Sequence, residues 1–134
     1  SSILEVNRKL LNNSHIFENH PHWAINDVNA YKQDFTQIAY YEDSDEYLEH
    51  RDSARLTCLT WFYREPKKFT GGTLYFPLWG TEIECKSNRV ICFPSMIPHG
   101  VTKVSMDKND MGKKLGRFVM TQFLMLDTDS VTAI

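Results

Sequence analysis

Most of the chain is a succession of short β-like runs separated by turns. From Phe35 onward these runs are rich in aromatic and β-branched residues and poor in helix formers. In chain order they are DFTQIAYYE, EYLEHRDS, ARLTCLTWFY, GGTLYFP, NRVICFPS, HGVTKVSM and GRFVMTQFLML. Turn residues lie between them, at positions 43–45, 71–72 and 77–80. Several short strands with regular turns predict an all-β sandwich or barrel rather than βαβ units.

The segment before these runs has another pattern. Its apolar residues are spaced as in a helix, which predicts an amphipathic helix over residues 3–17, packed on the outside of the sheet. Trp23 and Ile25 are expected to begin the first strand, so that the β core spans about residues 24–126.

Three histidines lie at the end of this first segment. His20 and His22 flank a proline in a polar loop, and no acidic partner follows them at strand spacing. Together with His15, they are therefore interpreted as surface or loop residues rather than as a metal pair.

Composition limits the class of protein. A length of 134 residues, of which 42% are hydrophobic, predicts one domain over residues 1–134. The net charge of −2 gives no electrostatic reason to expect nucleic acid or an anionic membrane as a partner. No apolar run approaches the ~20 residues that span a bilayer.

The cysteines bear on location. Cys58, Cys85 and Cys92 are an odd number without C-x-x-C spacing, so we expect reduced thiols in a cytoplasmic protein. No signal peptide is apparent, although a chain that begins at Ser1 without methionine leaves open a removed leader or an excerpt of a longer protein.

A candidate metal site lies in the second run. His50 and Asp52 are two residues apart, so an extended strand would place both side chains on one face. His99, in FPSMIPHGV, is the best candidate for a third ligand. Two histidines and one carboxylate leave three positions open on a metal, as in non-haem Fe(II) oxygenases. The alternative is a surface pair and a loop histidine that never meet.

The order of the motifs supports the metal interpretation. HRD at 50–52, FTGGTL at 69–74, RVICFPS at 89–95, HGV at 99–101 and GRF at 116–118 follow one another. In this order they resemble the 2-oxoglutarate and Fe(II)-dependent dioxygenases, and most of all the prolyl 4-hydroxylase group. The resemblance covers roughly residues 35–126. It implies a double-stranded β-helix, or jelly roll, with the metal at its open mouth and His50, Asp52 and His99 as catalytic metal ligands.

The resemblance also implies a cosubstrate site. The keto acid end of 2-oxoglutarate would chelate the iron, and Arg117 matches the cation that grips the distal carboxylate. Thr121 shares a strand face with Arg117 and would add a hydroxyl donor. Tyr40 is preferred over Tyr41 as the tyrosine that contacts the cosubstrate.

Two departures from the family pattern leave alternatives open. The gap between His99 and Arg117 is long, so residues 107–114 are interpreted as a hairpin tip. If they are not, Lys113 or Lys114 would bind the distal carboxylate of the cosubstrate instead of Arg117. A position that holds a cosubstrate-binding tyrosine in many relatives falls on or near Trp61, whose indole N–H donates one hydrogen bond and accepts none.

The implied function is hydroxylation of a C–H bond with Fe(II), 2-oxoglutarate and dioxygen, which yields succinate and carbon dioxide; a role for ascorbate stays open. The expected substrate is a prolyl residue in a peptide or protein. The alternatives are another amino-acid residue, a small molecule, or a non-catalytic cupin-like binding domain. Two segments are expected to cover the substrate: the one before residue 35 and the basic loop 64–68. For the basic loop, the alternative is that it is solvated and has no role in binding. The oligomeric state is left open.

Overall fold

The computed structural model describes residues 12–126 together with Glu5 and Lys9. Most of the helix predicted over residues 3–17 lies outside the described residues. The part that follows contains two 3-10 turns, at Ser14–Ile16 and Val28–Ala30, and one short helix, α1, at Trp23–Asn26. No helix among the described residues is long and apolar enough to cross a membrane.

The rest of the described chain is mainly β. The ten strands are β1 (Gln33–Tyr41), β2 (Tyr47–His50), β3 (Leu56–Phe62), β4 (Phe69–Thr70), β5 (Leu74–Phe76), β6 (Thr81–Ile83), β7 (Val90–Pro94), β8 (His99–Val101), β9 (Ser105–Met106) and β10 (Arg117–Met125). The mainly β class predicted from the short runs is therefore confirmed.

The strands form two four-stranded sheets and one small pair. The first sheet has the order β1-β10-β3-β7, and the second has the order β2-β8-β5-β6. β4 pairs with β9, and every pairing is antiparallel. Because the chain crosses repeatedly between two facing antiparallel sheets, the arrangement fits the predicted jelly roll.

The main core lies between the two sheets. Side chains from the inner faces of both sheets meet there, and the residues of this core are Leu59, Trp61, Phe69, Leu74, Phe76, Cys85, Phe93, Val104, Met106 and Val119. Alternate residues of a strand point to opposite faces. Leu59 and Trp61 thus fix the inner face of β3, and the register places Val119 opposite Trp61 and Thr121 opposite Leu59 on β10.

The first strand begins later than the sequence predicted. Trp23 and Ile25 lie in α1 rather than in a strand, so the β core starts at Gln33 instead of near residue 24. The cause is local, because the His22 side chain caps the helix by accepting a hydrogen bond from the Ala24 amide at 3.1 Å. Ile25 then packs against the outer face of the first sheet with Leu56 and Leu124.

Candidate functional site

The structure brings His50, Asp52 and His99 together. His50 is the last residue of β2 and pairs directly with His99, the first residue of β8. Asp52 lies just beyond β2, in the connection that leads to β3. One ligand atom from each residue lies within 4.8 Å of the others. The proximity expected from the H-x-D spacing is therefore present, although Asp52 is outside the strand.

Both imidazoles have the tautomer that metal binding requires. Nδ1 of His50 lies 2.7 Å from the carbonyl oxygen of Leu48, and Nδ1 of His99 lies 2.7 Å from that of Ile97. Because a carbonyl oxygen can only accept, each Nδ1 carries the hydrogen and donates it. The lone pair of each neutral ring is thus on Nε2, which faces the centre of the cluster.

The carboxylate of Asp52 faces both of these nitrogens. Oδ1 lies 3.3 Å from Nε2 of His50, and Oδ2 lies 3.2 Å from Nε2 of His99. Lone pairs repel one another at this distance unless a cation lies between them. The cluster therefore calls for a proton or a metal ion at its centre.

The pKa shifts follow from these contacts. Burial by itself raises the pKa of Asp52, but its contacts with the imidazoles of His50 and His99, which become hydrogen bonds when Nε2 is protonated, and the hydrogen bond from Thr57 outweigh it and hold that pKa well below its usual range. Burial by itself lowers the pKa of His50, but hydrogen bonds to Asp52 and to the carbonyl of Leu48 leave that pKa raised. Asp52 is therefore an anion at neutral pH, and the metal-free cluster attracts a proton to His50.

A second charged group lines the same cavity. Arg117, at the start of β10, shares this cavity with the His-Asp-His cluster and is fully buried. Its Nε donates to the carbonyl oxygen of Gly72 at 2.9 Å. Cys85 and Tyr41 lie beside the guanidinium, but within the described part of the chain neither terminal nitrogen makes a hydrogen bond. Burial lowers the pKa of Arg117, yet a guanidinium stays charged at neutral pH. Two free donors side by side suit a carboxylate, which can accept two parallel hydrogen bonds.

A comparison with protein families agrees with this site. The family model of the 2OG-Fe(II) oxygenase superfamily matches residues 36–125, a segment that contains the clustered residues and Arg117. The chain belongs to the 2OG-Fe(II) oxygenase superfamily. Membership implies Fe(II) as the metal and 2-oxoglutarate and dioxygen as cosubstrates.

Three solved structures align with this chain. The crystal structure of a Pseudomonas putida prolyl-4-hydroxylase is 19% identical, with a TM-score of 0.52, and the match covers 72% of this chain and 54% of that one. The oxygenase thus spans little more than half of that protein's length. An RmlC-like cupin from Desulfovibrio desulfuricans is 13% identical over 67% of this chain and 71% of its own, with a TM-score of 0.46. An RmlC-like cupin from Shewanella frigidimarina is 12% identical over 72% and 70%, with a TM-score of 0.43. A search of curated proteins gave no match.

The residues of the oxygenase suit these cofactors chemically. Two Nε2 lone pairs and one ionised carboxylate are the donor set of a ferrous site that keeps positions open. The unpartnered terminal nitrogens of Arg117 are donors that a dicarboxylic acid could satisfy. The donor set and the orphaned donors line a single cavity, so both ends of 2-oxoglutarate find complementary groups.

The structure places the two tyrosines on opposite faces of β1. Tyr40 points to the outer face of the first sheet, where its ring packs on Phe118 and its hydroxyl accepts from the Gly116 amide at 3.0 Å. Tyr41 lines the cavity, and its ring centre lies 4.7 Å from Cζ of Arg117. In the register of the sheet, Tyr41 pairs directly with Arg117 and shares its inner face.

Two other predicted positions lie near the cosubstrate region. Thr121 lines the cavity and is 8% exposed, on the same face of β10 as Arg117. Trp61 is fully buried, with its ring centre 5.7 Å from Cζ of Arg117, and its indole nitrogen has no hydrogen-bond partner among residues 12–126. Trp61 thus adds one unused donor to the neighbourhood of the guanidinium.

The alternative lysines lie elsewhere. Residues 107–114 form a 3-10 turn at Lys108–Asp110 followed by turns, and the Gly112 amide donates to Glu42. Lys113 and Lys114 are both exposed and do not line the cavity. The long gap before Arg117 is therefore taken up by a surface loop, and among the described residues Arg117 is the lysine or arginine that lines the cavity.

Gly72, which the sequence presented as part of a turn and of the FTGGTL motif, supports Arg117 directly. Its φ is +64°, which favours glycine, and its carbonyl oxygen accepts the hydrogen bond from Arg117. A Cβ atom at this position would lie 2.6 Å from Cδ of Arg117. The paired glycines in FTGGTL were the available signal, since a glycine pair marks a place where the backbone must approach another group closely.

Proposed function

We propose that this oxygenase hydroxylates a C–H bond of a prolyl residue in a peptide or protein, within a single catalytic domain. His50, Asp52 and His99 would bind Fe(II), and Arg117, Tyr41 and Thr121 would bind 2-oxoglutarate. The observation that carries this proposal is the cavity itself. A cluster with the chemistry of a ferrous site and a buried guanidinium with two free donors line the same space.

The protein residues have distinct tasks in this reaction. When bound, the ferrous ion and 2-oxoglutarate supply the oxidising chemistry that activates dioxygen. His50, Asp52 and His99 would hold the metal through one atom each. Arg117 orients the cosubstrate by its distal carboxylate. The apolar residues around this cavity, Ala39, Leu59, Leu74 and Val119, exclude water from the reacting groups.

A proline-containing substrate is supported by the mouth of the cavity. Tyr47 lines the cavity next to the cluster, is 45% exposed, and has its ring centre 3.8 Å from that of His50. Aromatic surfaces are what proline-rich segments commonly pack against. The fold likeness to a prolyl-4-hydroxylase points the same way. The predicted basic loop contributes no residue to the cavity, and its Lys67 donates to the carbonyl oxygen of Cys85 at 2.8 Å.

The test is succinate formation with a panel of substrates. Poly-proline peptides, mixed peptide libraries, free proline and other amino acids would be incubated with Fe(II), 2-oxoglutarate and dioxygen, and products would be searched for a gain of one oxygen by mass spectrometry. We expect succinate and an oxygenated prolyl residue with the peptides. Oxygenation of another residue or of a small molecule would replace the prolyl assignment, while binding of 2-oxoglutarate without consumption would favour a binding domain.

Variants of the metal ligands test the residue assignment. His50→Ala and Asp52→Ala should abolish succinate formation while the thermal unfolding transition remains cooperative. Normal turnover by either variant would contradict the proposed metal site.

A further inference from the structure

A chain of buried hydroxyl groups leads to the carboxylate of Asp52. The hydroxyl of Thr57 donates to Oδ2 of Asp52 at 2.8 Å. The hydroxyl of Ser95 lies 2.7 Å from that of Thr57. Thr57 is 1% exposed and Ser95 is 0% exposed. Neither residue belongs to the His-Asp-His cluster.

The direction of these hydrogen bonds is fixed by counting hydrogens. An ionised carboxylate can only accept, so Thr57 uses its single hydroxyl hydrogen on Asp52. Ser95 must then be the donor to Thr57. The order of donation is Ser95 to Thr57 to Asp52, and hydrogen bonds in such a chain polarise one another.

Ser95 also ties together the backbone segments that carry the cluster. Its carbonyl oxygen accepts from the Asp52 amide at 2.9 Å, and its amide donates to the carbonyl oxygen of Arg55 at 3.1 Å. Ser95 directly follows β7, and the loop after it leads to His99 at the start of β8. The segment with the carboxylate and the segment with the second histidine are thus joined at Ser95.

We propose that Thr57, backed by Ser95, is a positioning residue that fixes the carboxylate of Asp52 for metal binding. This inference rests on the proposed function, in which Asp52 is a metal ligand. The side chain of Asp52 can otherwise rotate about its Cβ–Cγ bond. The hydroxyl of Thr57 holds Oδ2 on one side, so the two oxygens keep their places opposite His50 and His99.

Positioning of this kind would also limit how the carboxylate of Asp52 binds the metal. A carboxylate that turns freely can bind a metal through both oxygens and occupy a position that the cosubstrate needs. A hydrogen bond to one oxygen opposes that rearrangement. Loss of the Thr57 hydroxyl should therefore change both the affinity for the metal and its coordination geometry.

Three variants and a cobalt titration test the inference without any turnover. Thr57→Val removes the hydroxyl at nearly constant volume, and Thr57→Ser keeps it. Ser95→Ala removes the hydroxyl that donates to Thr57. Co(II) is the probe, because its visible absorption reports coordination number and geometry. We expect Thr57→Val to weaken Co(II) binding ~10–100-fold with an altered spectrum. Thr57→Ser should bind within about threefold of the wild type, and Ser95→Ala should weaken binding ~3-fold or more.

His99→Ala separates failure of this inference from failure of the metal site. If His99→Ala binds Co(II) as the wild type does, the proposed metal centre is wrong. If His99→Ala loses Co(II) but Thr57→Val keeps wild-type affinity and spectrum, only the role of Thr57 is overturned. Should Thr57→Val not fold, Ser95→Ala decides, and an unchanged affinity and spectrum in that variant would overturn the inference.

Discussion

At the scale of single residues, the charge of Arg117 is buried, and no described residue accepts a hydrogen bond from either terminal nitrogen. A buried charge is costly when its hydrogen-bonding groups are unused, and replacement by an apolar side chain can be neutral or stabilising. The cost is understandable if a carboxylate of 2-oxoglutarate completes the site during function. Arg117 is then a residue that serves binding at some expense of stability.

This argument predicts opposite effects of Arg117→Leu on binding and on folding. The apparent KM for 2-oxoglutarate should rise ~100-fold, as expected for loss of a buried charged hydrogen-bonding partner. The midpoint of thermal unfolding without ligand should stay the same or rise. Succinate assays and calorimetry measure the two quantities, and Arg117→Lys is the control that keeps the charge but loses the paired donors. An unchanged KM in Arg117→Leu would remove Arg117 from the cosubstrate site.

The raised pKa of His50 predicts how metal binding depends on pH. In the metal-free protein His50 holds its proton to higher pH than an ordinary histidine, whereas metal binding needs the neutral ring. The affinity for Co(II) should therefore fall ~10-fold for each pH unit below that raised pKa. Titrations from pH 5.5 to 8 check this, and a flat affinity would contradict it.

The folding stability of the metal-free protein should change with pH in the opposite direction. The stabilisation from protonated His50 is full below pH ~6.5 and is lost as pH rises through the raised pKa.

At the scale of elements, the neighbouring residues Tyr40 and Tyr41 of β1 serve opposite faces of one sheet. Tyr41→Leu should raise the KM for 2-oxoglutarate, because it removes the ring that lies over Arg117. Tyr40→Leu should leave this KM near the wild-type value but lower the unfolding midpoint, since it removes the packing on Phe118 and the bond to Gly116. The two variants are matched controls, and the reverse pattern would mean that Tyr40 is the cosubstrate residue after all.

The turn before β5 gives a second prediction at this scale. Gly72→Ala should lose more than ~1 kcal/mol of folding free energy and raise the KM for 2-oxoglutarate ~10-fold, because its Cβ would displace Arg117. Gly80→Ala is the matched control: its φ of +58° is similar, but a Cβ there would meet nothing within 4 Å. Gly80→Ala should lose only the ~1 kcal/mol of folding free energy that a residue with a Cβ loses in a left-handed backbone conformation. Equal KM values for both variants would show that Gly72 does not position Arg117.

These elements also show what the sequence could and could not predict. The β class followed from the short apolar runs, which are properties of neighbouring residues. The approach of His50, Asp52 and His99 was expected from the H-x-D spacing together with the family resemblance of the motif order. The face of each tyrosine depended on the pairing of β1 with β10, a contact between residues 76 positions apart, as in the Tyr40–Gly116 bond. The start of α1 depended on capping by His22, which apolar periodicity does not contain.

At the scale of the whole molecule, the site joins the two sheets. His50 and His99 belong to the second sheet, and Asp52 lies in the connection from that sheet to the first. Arg117, Tyr41 and Thr121 all belong to the first sheet. A metal and cosubstrate bound between them would therefore hold the two faces of the jelly roll together.

Ligand binding should accordingly stabilise the whole fold in two separable steps. Without dioxygen, Co(II) at 100 times its Kd should add ~2.7 kcal/mol to the free energy of unfolding, and 2-oxoglutarate at the same excess should add a similar amount. Arg117→Leu should keep the first step and lose the second, because its metal ligands are intact. His99→Ala should lose the first step and with it the second, because the keto acid end then has no metal to bind. Thermal unfolding of the three proteins measures both steps. Stabilisation of His99→Ala by 2-oxoglutarate alone, equal to that of the wild type, would mean that cosubstrate binding does not depend on the metal.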